Sequence, residues 1–377
     1  MPTVVEIATE LIRRPSVTPD DAGCTDYLAA LFGEAGFTVR HLDFNDVKNL
    51  WVTHGTAEPL IVFDGHCDVV PPGPREAWNT EPFTPTTVGG MLYGRGASDM
   101  KGPLAAMVAA LLNYVKANPN HPGTLGMLVT SDEEGYAVDG TGRALKTLVE
   151  EGVKIDFAIV GEPTSEDSFG DMIKVGRRGS VSAKMVVRGK QGHVAYPHLA
   201  LNPIHTLSPF LTELLAFKWD MGNENFPPTT LQVTNIHAGT GAVNVIPGSV
   251  ELDFNLRYNT LLTAPIIQDR ITKMAHAFGL DCTFEWNASA MPFVTRDRRL
   301  IGAIATAIIK ETKQTPREGT GGGTSDARFF AAHKIPVVEF GPSNATIHAA
   351  NECVAIGDLE ACVRVYKDAL ANLLSGE

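Results

Sequence analysis

Residues 60–68 read Leu-Ile-Val-Phe-Asp-Gly-His-Cys-Asp. The apolar run at 60–63, followed by a long turn-rich loop, reads as a short buried strand. In extended chain, residues two apart share a face. His66 and Asp68 therefore point one way and Cys67 the other. A histidine with a carboxylate one step behind it suits a metal ligand whose tautomer is held from the back. The same pair reads equally well as two loop groups satisfied by hydrogen bonds. Cys67, facing away, reads as a packed small residue.

Similar apolar runs recur at 125–130, 157–160 and 337–340, and helical spacing at 4–14, 24–35, 104–116 and 300–311. Short apolar strands alternating with helices predict an α/β fold with a mostly parallel sheet. The middle of the chain differs. It reads as strand 180–187, helix 203–216, strands 230–236 and 249–257, helix 265–278 and strand 281–286, the order of a split-βαβ, ferredoxin-like α+β unit. The expected organisation is a discontinuous catalytic domain, 1–178 and 293–377, with an inserted domain at 179–292.

Polar residues gather where the predicted strands end. Ser131-Asp132-Glu133-Glu134-Gly135 follows the strand at 125–130. Three successive acids there are costly unless solvated or bound to cations. Adjacent residues face differently, so one carboxylate is free to bind metal while its neighbour acts as a base. Glu162 sits in VGEPTS, Asp99 in GRGASDMKG and His348 in GPSNATIHAANE. His66, Glu133, Glu134, Glu162 and His348 all fall just past strand ends, the edge of an α/β sheet where ligands bind. Two histidines and several carboxylates without thiolate suit zinc, with manganese or cobalt as substitutes.

Composition excludes other classes. The 377 residues carry 31 Lys+Arg against 43 Asp+Glu, a formal net charge of −12. That gives no electrostatic footprint for nucleic acid or anionic lipid. Cys24, Cys67, Cys282, Cys353 and Cys362 are scattered and odd in number, which argues against a disulfide framework. The start of the chain opens a helix and reads without a signal peptide. No apolar run approaches the roughly eighteen residues of a membrane span. A cytoplasmic enzyme is expected.

GHCDVVPPG, GRGASDMKG, TSDEEG, VGEPT and the late His348 resemble the metal-binding segments of the dinuclear zinc deacylases and carboxypeptidases. KVGRRGSVSAKMVVRGKQGHVAYPHLALNPIH and GTGGGTSDARF extend the likeness, which runs from the first helix to the C-terminus. The family usually has Thr at position 67. The resemblance implies a zinc-peptidase-like catalytic domain, an inserted domain through which two chains form a homodimer, and hydrolysis of an N-succinyl amide. It implies two zinc ions: His66 and Glu162 on one, Glu134 and His348 on the other, Asp99 bridging. It makes Asp68 the group that orients His66 and Glu133 the base, and it expects a cis Asp99–Met100 peptide. His193, in GKQGHVAYP, becomes a donor lent to the partner's site, although a lone histidine beside Gly192 is most often structural. Arg177, Ser180, Tyr196, Asn244, Arg257, Gly323, Thr324 and Asn344 are the expected substrate contacts, Arg177 being preferred over Arg178. The Gly-rich GTGGGT lacks the ending of a phosphate loop and fits backbone approach to a carboxylate better.

Overall fold

Strand Leu60–His66 is buried at all seven positions, so both faces of the sheet around it are covered. The computed structural model that shows this describes residues 1–375. The chain divides into two compact units. The first comprises Met1–Gly176, Thr295–Gly319 and the chain from Ser325 onward; the second comprises Arg177–Val294 and Thr320–Thr324.

The first unit is built on an eight-stranded sheet. Its order is Thr38–His41, Asn49–His54, Thr124–Thr130, Leu60–His66, Phe157–Val160, Val337–Glu339, Met172–Lys174, Arg317–Gly319. The four central strands, Thr124–Thr130 through Val337–Glu339, are mutually parallel. Asn49–His54 joins them antiparallel, and so does Met172–Lys174 on the other side. Four parallel strands side by side present four carboxyl ends along one edge.

Helix Lys101–Ala117 is buried without a break from Lys101 to Leu112, the mark of a central helix rather than a surface one. It packs against Val4–Ile12 and Ile356–Leu374, and the latter against Arg298–Thr312. Two glycines let the strand ends approach its start. A Cβ on Gly65 would lie 2.6 Å from Met100 Cε, and one on Gly161 would collide with Met107. The Asp99–Met100 peptide is cis.

In the second unit four antiparallel strands run in the order Thr230–Ala238, Ser249–Tyr258, Gly179–Arg188, Cys282–Ala290. That is second, third, first, fourth in chain order, the split-βαβ arrangement. Ser249–Tyr258 buries alternate residues, Val250, Leu252, Phe254, Leu256 and Tyr258, as a one-sided strand must. They share a core with Phe210 and Leu214 of helix Pro203–Ala216 and Ile267 and Ile271 of helix Ala264–Ala277.

Candidate metal centre

His66 is the last residue of its strand, and Glu133 and Glu134 lie in the turn after Thr124–Thr130, beyond Ser131 and Asp132. Glu162 stands two residues past Phe157–Val160, and His348 lies in the loop after Val337–Glu339. Parallel register brings all of these to one edge. Asp99 arrives from the turn that starts helix Lys101–Ala117.

The five expected ligands converge. His66 Nε2 lies 3.2 Å from Asp99 Oδ1 and 3.8 Å from Glu162 Oε1. His348 Nε2 lies 3.4 Å from Asp99 Oδ2 and 2.9 Å from Glu134 Oε1. Each Asp99 oxygen therefore faces a different histidine, and each histidine has its own glutamate. Ligand atoms of His66, Asp99 and Glu134 lie within 4.8 Å of one another, and so do those of His66, Glu133 and Glu162.

The electrostatics are those of a carboxylate cluster around a cation position. Burial, with Asp99 and Glu133 nearby, pushes the Glu162 carboxyl well up. Burial alone would raise Asp99 too, but the two histidines against it hold it below the usual carboxylate range. His348 is pushed up to about 10 by Asp99 and then Glu134. Burial alone would lower His66, yet Asp99, Asp68, Glu133 and Glu162 raise it well above its ordinary value. Buried charges persist only when paired or bound to metal. The residues fit divalent ions on a further observation: His66 Nε2 and Asp99 Oδ1 are buried, face each other at 3.2 Å out of hydrogen-bond alignment, and have no hydrogen-bond partner elsewhere. Two imidazoles and three carboxylates match the donor preferences of zinc and its neighbours.

Asp68 behaves differently from the expectation. His66 Nδ1 bonds to the Asp68 backbone carbonyl at 2.9 Å, while the carboxylate stands 3.6 Å off. That carboxylate instead accepts from the amides of Glu133 (3.3 Å) and Glu134 (3.1 Å). Asp68 thus fixes the His66 ring through its main chain and the acidic turn through its side chain. Burial pushes its carboxyl up to about 6. Glu133 is raised well above its ordinary value by burial and then by Asp326. Cys67 faces away from the cluster, its thiol donating toward Thr130 O at 3.3 Å and Asp21 at 3.4 Å.

The sequence reading did not single out Asp64 and Asp326, buried carboxylates whose charges reach Glu133 and each other. It also passed over Arg95 and Glu352. Arg95 lies in GRGASDMKG, and Glu352 four residues after His348. Acid and base flanking two ligands were the available signal.

The expected substrate contacts fall into four places. In the second unit, Gly192–His193 pairs with Val245–Ile246, and Val194 N donates to Asn244 O at 3.2 Å. His193, Tyr196 and Asn244 are thereby neighbours, all exposed. Ser180 and Arg257 stand opposite each other in register, and burial, then the charge of nearby Arg178, push the Arg257 guanidinium below its ordinary pKa. Arg177 Nη1 donates to Gly321 O at 3.1 Å, beside Gly323 and Thr324. Asn344 belongs to the first unit, in the loop of His348, its amide donating to Ser165 O at 3.1 Å.

A parallel-sheet unit that gathers two histidines and a set of carboxylates at its strand ends, with a further glutamate beside them, defines a metal-dependent hydrolase. The chain belongs to peptidase family M20/M25/M40, whose sequence profile matches residues 62–372. It is similar to a succinyl-diaminopimelate desuccinylase of Halorhodospira halophila, 52% identical over 375 residues, spanning 100% of this chain and 99% of that one. Among solved structures it is similar to the M20 family metallo-carboxypeptidase Sso-CP2 from Sulfolobus solfataricus (TM-score 0.84, 18% identity, 100% of both chains). The YXEP protein of Bacillus subtilis, described as a dinuclear metal-binding peptidase from the M20 family, is also similar (TM-score 0.73, 16% identity, 99% of this chain and 98% of that one). Among the described residues no helix is long and apolar enough to cross a membrane.

Proposed function

We propose that the chain hydrolyses the amide of N-succinyl-L,L-2,6-diaminopimelate to succinate and L,L-diaminopimelate, a step in forming lysine and cell-wall precursors. The observation that carries the hydrolytic part is Asp99, whose two oxygens face His66 and His348 at 3.2 and 3.4 Å. The acyl substrate follows from the full-length likeness to the Halorhodospira halophila desuccinylase.

Two zinc ions are proposed, one held by His66 and Glu162, the other by Glu134 and His348, with Asp99 shared. When bound, the ions supply the positive charge that polarises a carbonyl and acidifies water. Glu133 takes the proton from the attacking water and delivers it to the departing amine. Its raised affinity for protons suits a base that must later act as an acid. Asp68 holds the turn that presents Glu133. Arg177, Arg257, Ser180, Tyr196, Asn244, Gly323, Thr324 and Asn344 are proposed to read the substrate's carboxylates and amine. Guanidinium forks bind carboxylates through paired hydrogen bonds.

A homodimer formed through the second unit, with His193 lent to the partner's site, belongs to the same proposal, as does a cytoplasmic location. The exposure of His193, with Val194, Tyr196, Leu199 and Leu201 also exposed beside it, supports a surface that is covered in the assembly.

Steady-state kinetics on N-succinyl-L,L-2,6-diaminopimelate and on N-acetylornithine, with metal content measured on the same sample, tests the reading. A strong preference for the succinyl substrate is expected. A strong preference for the acetyl one would transfer the chain to a sister activity of the family.

A further inference from the structure

Glu352 is fully buried, and its whole acceptor capacity is turned on one loop. Oε1 accepts from the amides of Ser98 and Asp99, each at 2.9 Å. Oε2 accepts from the amide of Gly96 at 2.9 Å and from Arg95 Nη1 at 2.7 Å. Arg95, itself buried, reaches on with Nη2 to the carbonyl of His348 at 3.4 Å, and its guanidinium lies 5.2 Å from the Trp78 ring centre. Ser98 Oγ adds a second tie, donating to Ser343 O at 2.6 Å. A small sheet closes the register: Cys353, next to Glu352, pairs with Tyr93, two residues before Arg95.

The two loops joined in this way carry Asp99 and His348, whose facing atoms are 3.4 Å apart. His348 has φ 59, a left-handed conformation that a non-glycine residue keeps only where its surroundings over-determine it. Packing alone does not explain a buried ion pair here, because apolar residues of similar volume fill such space at lower cost. What the pair supplies is direction. Two carboxylate oxygens fix the amide planes from 96 to 99, and the arginine ties that loop to the main chain of the histidine.

We propose that the Arg95–Glu352 pair sets the spacing between Asp99 and His348 and so the affinity of the ion those two share with Glu134. This rests on the two-ion reading above. Neither residue is placed on an ion or on substrate; both act as positioning residues behind the ligands.

The test uses the full chain, stripped of metal, as parent, Glu352→Gln and Arg95→Lys. Glutamine keeps the volume and one acceptor oxygen but turns an NH2 group toward donors. Lysine keeps the charge beside Glu352 but cannot also reach the His348 carbonyl. Zinc is titrated against a competing chelator, and the thermal midpoint of the metal-free protein is read on the same samples. The weaker of the two zinc dissociation constants is expected to rise roughly 10–100-fold in both variants, with the metal-free midpoint of Arg95→Lys close to the parent's. Cobalt-loaded Arg95→Lys should also show an altered visible spectrum, which a purely structural role would not move. Unchanged zinc affinity in Arg95→Lys overturns the proposal, whether or not its midpoint falls. If Glu352→Gln does not fold, Arg95→Lys decides alone. A parent that takes up fewer than two ions overturns the two-ion reading and this proposal with it; a two-ion parent with unaltered variants overturns the proposal alone.

Discussion

Removing the metal should reverse the pH dependence of stability. In the metal-free chain, burial raises the Asp68 carboxyl from 3.8 to about 6. A raised folded-state pKa means the native state binds the proton more tightly than the unfolded state. Its stabilisation is complete below the unfolded value and is lost as pH rises through about 6. Roughly two pKa units correspond to about 3 kcal/mol. About half of that is recovered between pH 8 and pH 5, one unit below the folded value at about 1.4 kcal/mol. Glu133 and Glu162, also raised, act with the same sign, and so do His66 and His348. Asp99 and the surface carboxylates held low by ion pairs, such as Glu151 and Glu311, oppose this only near and below pH 4. At roughly 2–4 °C per kcal/mol for domains of 150–250 residues, Asp68 alone should raise the metal-free midpoint by about 3–6 °C between pH 8 and 5. The metal-loaded protein should move the other way, because protons compete with the ions for the same ligands. Differential scanning calorimetry of both forms across that range is the assay. Parallel loss of stability on acidification in both forms would mean that the cluster is not cation-starved without metal, and the expected reversal would fall.

Glu133→Ala should lower turnover roughly 10²–10⁴-fold while elemental analysis still finds the parent's metal content; near-parent turnover would remove the base assignment. Gly102→Ala should destabilise the protein by about 1–3 kcal/mol, read by denaturant melts, because its Cβ would collide with Ala97 O in the turn that presents Asp99; an unchanged melt would mean that this turn relaxes freely. A variant confined to the monomer by charges on the second unit should keep its zinc and lose most turnover, and a fully active monomer would defeat the role given to His193.

The strands that carry the site were legible because they are buried on both faces. Leu60–Phe63, the start of strand Leu60–His66, and Phe157–Val160 show as unbroken apolar runs, and the polar residues after them stand out at once. Asn49–His54 was not read as a strand, because its polar ends leave only a three-residue apolar core to see. Helix Ile356–Leu374 was not expected, although Leu359, Cys362, Tyr366, Leu370 and Leu373 fall at helical spacing on its buried face. Within the site, spacing brought out residues at strand ends but not what stands behind them. Asp68 fixes His66 through a carbonyl, which no side-chain pattern encodes. Glu352 acts on backbone amides some 250 residues earlier in the chain, a partnership visible only once the two loops are folded together.

If His66, Asp99, Glu134, Glu162 and His348 hold two ions on which hydrolysis depends, activity must follow metal content. The most direct measurement is stepwise zinc reconstitution of the metal-free protein, following cleavage of N-succinyl-L,L-2,6-diaminopimelate at each step. Turnover should be absent without zinc and saturate at two ions per chain. Undiminished turnover in the fully metal-free protein would contradict it.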